Sequence, residues 1–156
     1  MIKKIDRIMK YTCTKEIPLS RKECIELWLD ESKFHEWQDG FQHRNWIEGE
    51  PNANNSKSEI LLAHGNRKLE LEERILDNSL PDYILGEYFH KHMTNTQKTS
   101  FERISDHSTL IRSEVEYTAF RGFLPRLMAM LFPGMFKKQS QKWLDNFERL
   151  ARGNQR

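Results

Sequence analysis

Between residues 136 and 151, Phe136, Ser140, Trp143, Leu144, Phe147, Leu150 and Ala151 recur at steps of three and four. That spacing predicts one long amphipathic helix at the end of the chain, closed by Gly153. The middle of the chain has a different period and reads as strands. A long antiparallel sheet must curl, and its concave face must be covered by something apolar. The C-terminal helix is the only element large enough to do so. A cavity is expected wherever side chains fail to fill the space between sheet and helix.

The strand pattern opens at residues 7–17, where Met9, Tyr11, Cys13 and Ile17 share one parity and Lys10, Thr12, Thr14 and Glu16 the other. Pro18 ends it. Ser20 followed by Glu23 has the form of a capping box, which predicts a helix over 20–30, with a second short helical piece over 31–37 that stops at Gly40. Six strands are then predicted: 41–48, 56–64, 67–77, 83–93, 96–104 and 109–118, with Asp106-His107 as a hairpin tip. The 67–77 segment is ambiguous because its Leu, Glu and Arg residues favour helix; the alternation of Leu69, Leu71 and Ile75 decides for strand. With one valine in the chain, Ile, Thr and aromatic residues supply the strand preference.

A chain of 156 residues suits a single domain, residues 1–156, and 37% apolar residues are enough for a core. The mean hydropathy of −0.80 makes the exterior very polar. The 25 basic and 23 acidic residues are spread along the chain without a basic block, so no nucleic-acid partner is expected. No run approaches the ~18 apolar residues of a transmembrane segment. The basic N-terminus MIKKIDRIMK lacks the apolar stretch of a signal peptide, and Cys13 and Cys24 match neither a disulfide framework nor a metal spacing. A reduced, cytoplasmic protein is the default expectation, with no cofactor.

Three stretches, IPLSRKECIELWLD after the first strand, ERILDNSLPDYILGEY, and above all GFLPRLMAMLFPGMFKKQSQKWLDNFERLA, resemble the SRPBCC superfamily, also called START-like or polyketide cyclase/dehydrase-like. The resemblance covers nearly the whole chain. It implies an α+β helix-grip fold, a curled antiparallel sheet around a long C-terminal helix with two short helices after the first strand. It also implies a central cavity for a lipid, sterol, polyketide or quinone. It transfers no catalytic residue, and the paired Cys-x-His and Cys-x-x-His ligands of the ring-hydroxylating branch are missing here.

Strand parity proposes a cavity lining. Over 83–92 the even positions carry no formal charge, whereas the odd ones include Glu87 and Lys91, so Tyr88, His90 and His92 are expected to face inward. Gly86 on the same face would leave room for a ligand. Leu69, Leu71, Glu73 and Ile75 form the inward set of the preceding strand; His43 and Asn45 are offered by the 41–48 strand, and Ser113 and Tyr117 by the last. Glu73 and His90 are the candidate acid/base residues, because an unpaired buried carboxyl and an imidazole can move protons near neutral pH. Two readings of them stand open. In one, Glu73, Tyr88, His90 and His92 anchor a ligand; in the other, Glu73 sits at a bulge or pairs with a neighbour such as Arg103, and the histidines mark a solvated strand end. His90-x-His92 has metal-ligand spacing, with His43 or Glu73 as a third donor, but a single such pair assigns no metal.

The apolar stretch 122–136 has bends at Gly122, Pro125, Pro133 and Gly134. It reads as a lid in which Leu124, Leu127, Met128 and Leu131 turn inward over the cavity mouth, or as ordinary core beneath the last helix. An exposed remainder would suit a homodimer contact or a membrane-touching patch. Three functions follow: a carrier or sensor for a hydrophobic small molecule, a cyclase- or dehydratase-type enzyme acting on one, or an interaction module that uses 122–136.

Overall fold

The structure is a computed structural model that describes residues 9–154. Strand β1 (Lys10–Ile17) leads into α1 (Arg21–Leu29), a 3-10 turn at Glu31–Lys33, and α2 (Phe34–Trp37). The capping box forms as expected: Ser20 Oγ accepts from the Glu23 N–H at 3.2 Å, and the Glu23 carboxylate accepts from the Ser20 N–H at 3.1 Å. The expected first residues of β1, Arg7 and Ile8, lie outside the described residues.

Six strands follow: β2 (Phe41–Glu48), β3 (Lys57–His64), β4 (Arg67–Ser79), β5 (Tyr83–His90), β6 (Met93–Ser105) and β7 (Ser108–Phe120). All neighbours are antiparallel, in the spatial order β1-β7-β6-β5-β4-β3-β2. The expected hairpin at Asp106-His107 joins β6 to β7. Met93 begins β6 instead of ending β5, because the chain turns at Lys91-His92. The 67–77 segment is a strand, so alternation prevailed over helix propensity.

After β7 come α3 (Phe123–Leu131) and α4 (Pro133–Gly153). Helix α4 starts three residues earlier than its periodic pattern, with Pro133 in its first turn, where the missing N–H costs nothing. It packs against β1 and α2. Its C-terminal half fills the core: Phe147 and Ala151 are fully buried, and the Phe147 ring lies 5.1 Å from Trp28 and 5.2 Å from Trp37, edge-on to both. Phe101, Ile111, Cys13, Ile17, Cys24 and Leu27 belong to the same cluster. The N-terminal half of α4 carries Phe136, Gln139, Ser140 and Trp143 on the same side and borders a cavity instead. The sheet curls around this helix: inward side chains from β2 through β7 all reach the same cavity.

The start of β2 depends on Gly40. Its φ is +82°, and a Cβ there would stand 2.6 Å from the Ala63 carbonyl oxygen, so only glycine lets β2 leave α2 against the end of β3. Register irregularities follow between Phe41 and His43 and between Trp46 and Glu48. Such a bulge reverses the parity of what lies beyond it. Arg44 and Trp46 therefore turn inward, and His43 and Asn45, expected inside, are exposed. Among the described residues no helix is long and apolar enough to cross a membrane.

Candidate functional site: a cavity between sheet and helix

The space between the sheet and the first half of α4 is a cavity of about 400 Å3. That lies within the usual range for small-molecule sites. One wall is apolar and aromatic, built from Trp28, Phe34, Trp37, Leu62, Leu69 and Leu71. The same inward face of the sheet also carries polar groups, since Glu73 shares the parity of Leu69 and Leu71 on β4. Strand pairing aligns Trp46, Ser58, Glu73, Tyr88, Asn95 and Tyr117 in one cross-strand row from β2 to β7, of which Glu73, Tyr88, Asn95 and Tyr117 border the cavity. Gln97, Thr99 and Ser113 continue the polar surface in the neighbouring rows.

The row contains one charge, and it is neutralised. The Glu73 side chain is 5% exposed and pairs with the Arg44 guanidinium, itself 7% exposed. Ser58 Oγ donates to Glu73 at 3.2 Å and accepts from Arg44 Nε at 3.1 Å. Glu31 closes the network, accepting from Arg44 at 3.4 Å and from the Trp46 indole at 2.8 Å, while the guanidinium lies 4.3 Å from the Trp46 ring centre. The partner of Glu73 is thus Arg44 from β2, not Arg103, which pairs with Asp106 at the β6–β7 tip. The condition for a proton-donating Glu73, an unpaired carboxyl, is not met.

The uncharged part of the wall donates and accepts without ionising. Burial raises the Tyr88 phenol above its ordinary value, with the Arg44 charge acting in the opposite direction. Burial likewise raises Tyr117 and Tyr11. Tyr11 shares a 2.7 Å hydrogen bond with Ser140 of α4, which ties β1 to the helix beside the cavity. Burial, reinforced by the charges of His92, Lys91 and Arg121, lowers His90. The His92 N–H donates to His90 Nδ1 at 3.2 Å, so the neutral ring carries its proton on Nε2. Gly86 makes no room for a ligand: the Tyr88 ring already lies 3.3 Å from where a Gly86 Cβ would stand.

Of the residues expected from the sequence, Leu71, Glu73, Tyr88, His90, Ser113 and Tyr117 border the cavity, whereas His92, Leu127, Met128 and Leu131 do not. His92 sits in the β5–β6 turn, its ring edge-on to His90 at 5.4 Å. Among the described residues no three His, Cys, Asp or Glu side chains stand close enough to hold a metal ion. Met128 and Leu131 are exposed because α3 packs on little besides α4. Parity reasoning missed Arg44, hidden by the β2 bulge. It also missed Asn95, Gln97 and Thr99, although these share the parity of the buried Phe101 and were legible on that ground.

No family model matches the sequence, and no curated protein does. Solved structures do resemble it. The Zhui aromatase/cyclase from Streptomyces sp. R1128 superposes with a TM-score of 0.77 at 8% identity, covering 96% of this chain and 97% of that one. A START superfamily protein from Mycobacterium smegmatis gives 0.73 at 13% identity, over 92% and 97% of the two chains. The chain has the START-like (SRPBCC) helix-grip fold. A third START-like neighbour, a norcoclaurine synthase point mutant from Thalictrum flavum in complex with a transition-state analogue, gives 0.67 at 9% identity, over 96% and 97%. At such identities the START-like likeness extends to the fold and the place of the cavity, not to its contents.

Proposed function

We propose that the protein is a carrier or sensor for an apolar small molecule bearing a few oxygen or nitrogen groups, of lipid, quinone or polyketide type. The supporting observation is the cavity of about 400 Å3, whose lining combines aromatic and aliphatic side chains with a row of neutral hydrogen-bonding ones. An apolar body would pack against Trp28, Trp37 and Leu71, while its polar groups meet Tyr88, Asn95 and Tyr117. The indole N–H groups of Trp37 and Trp143, both cavity residues, are buried without a hydrogen-bond partner. A ligand oxygen reaching either one would satisfy a donor whose isolation costs about 1–3 kcal/mol.

Binding without chemistry fits the electrostatics better than catalysis. Glu73 is held by Arg44, and the cavity phenols are displaced away from ionisation at neutral pH. The enzymatic alternative, a cyclase- or dehydratase-type reaction, would rest on His90 or His64, the histidines that border the cavity among the described residues. Native mass spectrometry of protein purified from its own host tests the carrier reading. A single co-purifying apolar molecule, released on denaturation, is the expected result. Protein that emerges bare and takes up none of a panel of fatty acids, quinones and sterols would overturn it.

A further inference from the structure

Ten large hydrophobic side chains are exposed among the described residues, and seven of them fall within thirteen positions: Phe123, Leu124, Met128, Met130, Leu131, Phe132 and Met135. Phe123 is 80% exposed and Met130 70%. Helix α3 touches little besides α4, and only Pro125, Leu127 and Ala129 are half-buried within it. A patch of this kind on a polar protein marks a surface meant to be covered.

The charges around the patch indicate by what. Between Glu116 and Asp145 the sequence has no acidic residue, yet it carries Arg121, Arg126, Lys137, Lys138 and Lys142. Elsewhere the two signs are nearly balanced, as the whole-chain totals of 25 and 23 require. We infer that α3 and the first turns of α4 form a docking face for an anionic phospholipid bilayer. The apolar side chains enter the acyl boundary, and Arg126, Lys137 and Lys138 reach the headgroup phosphates, whereas Lys142 pairs with Asp39 at 2.8 Å and Arg121 is held by the β5–β6 tip. A two-fold contact between copies would bring these cations against themselves, which disfavours the homodimer.

The face is continuous with the cavity. Phe136, at the end of the patch, borders the cavity and packs against Tyr117 at 5.0 Å and Phe120 at 6.5 Å. Arg121, at the root of α3, donates to the carbonyls of His90 and Lys91 at the β5–β6 tip. Docking therefore places the end of the cavity lined by Phe136, Tyr117 and His90 against the membrane. The role of that end in loading rests on the carrier reading; the docking does not.

Flotation with phosphatidylcholine/phosphatidylserine vesicles is the test. Wild-type protein should float with the mixed vesicles at low salt, and much less with phosphatidylcholine alone or at high salt. F123D/L131D should abolish flotation, and K137E/K138E should weaken it by about tenfold or more. In both variants the near-UV circular dichroism and the uptake of a soluble apolar fluorophore without vesicles should stay unchanged. That control separates loss of docking from failure of the cavity reading. No flotation at low salt, equal flotation of wild type and F123D/L131D, or a concentration-dependent dimer in ultracentrifugation that F123D/L131D dissolves would overturn the proposal.

Discussion

Removing the Arg44 side chain leaves the Glu73 carboxylate buried with Ser58 as its remaining hydrogen-bond donor. An uncompensated buried charge is expensive, so Arg44→Ala should lower stability by about 3–5 kcal/mol in urea melts. Arg44→Met combined with Glu73→Leu should recover most of that loss, because two apolar residues of similar volume need no partner. If Arg44→Ala cost under about 1 kcal/mol, the pair would not be the buried neutral end of the cavity. His90 gives a second test at this scale. Burial and the nearby charges of His92, Lys91 and Arg121 favour its neutral form in the folded protein. Its contribution to stability is therefore complete above the ordinary histidine value near 6.5 and is lost as pH falls through the lower folded value. An NMR titration should find the His90 ring changing below that ordinary value, and His90→Gln should flatten the acid side of the stability profile slightly. A midpoint at or above it would contradict the placement.

Among the elements, α4 has two halves with different duties, and single substitutions should distinguish them. Phe147 is fully enclosed by Trp28 and Trp37, so Phe147→Ala should cost about 3–5 kcal/mol. Trp143 borders the cavity and is half-buried, so Trp143→Ala should cost clearly less. Equal costs, measured by the same melts, would mean that the first half of α4 is core as well. The two halves also illustrate what a sequence can disclose. Caps and turns are local, and Ser20–Glu23, the Asp106-His107 tip and the α4 period were all legible. Alternation was reliable on β4, β5 and β7, where the strand runs without an early bulge. It failed on β2, because a single irregularity after Phe41 exchanges His43 and Asn45 for Arg44 and Trp46. That exchange hid the partner of Glu73, a contact between strands that no local pattern encodes. On α3 the failure was of another kind: FLPRLMAML has one charged residue, so its pattern does not state which side meets the protein.

At the scale of the molecule, the proposed holding of an apolar molecule rests on a seven-stranded curled sheet and a helix whose first half leaves about 400 Å3 unfilled, and the proposed docking on an apolar, cation-flanked α3. Trp28, Trp37 and Trp143 border the cavity, so intrinsic fluorescence reports on its contents. The direct measurement is a titration with a soluble apolar fluorophore excited by energy transfer from these tryptophans. It should compare wild type with Asn95→Phe/Gln97→Phe, whose added rings would occupy the cavity from β6. Wild type should bind one equivalent with saturable transfer. The filled variant, with unchanged far-UV circular dichroism, should lose at least about tenfold in affinity, the scale of a site blocked by more than one apolar group. Equal binding by the two proteins, or no saturable binding by either, would contradict the claim that the space between sheet and helix is a ligand site.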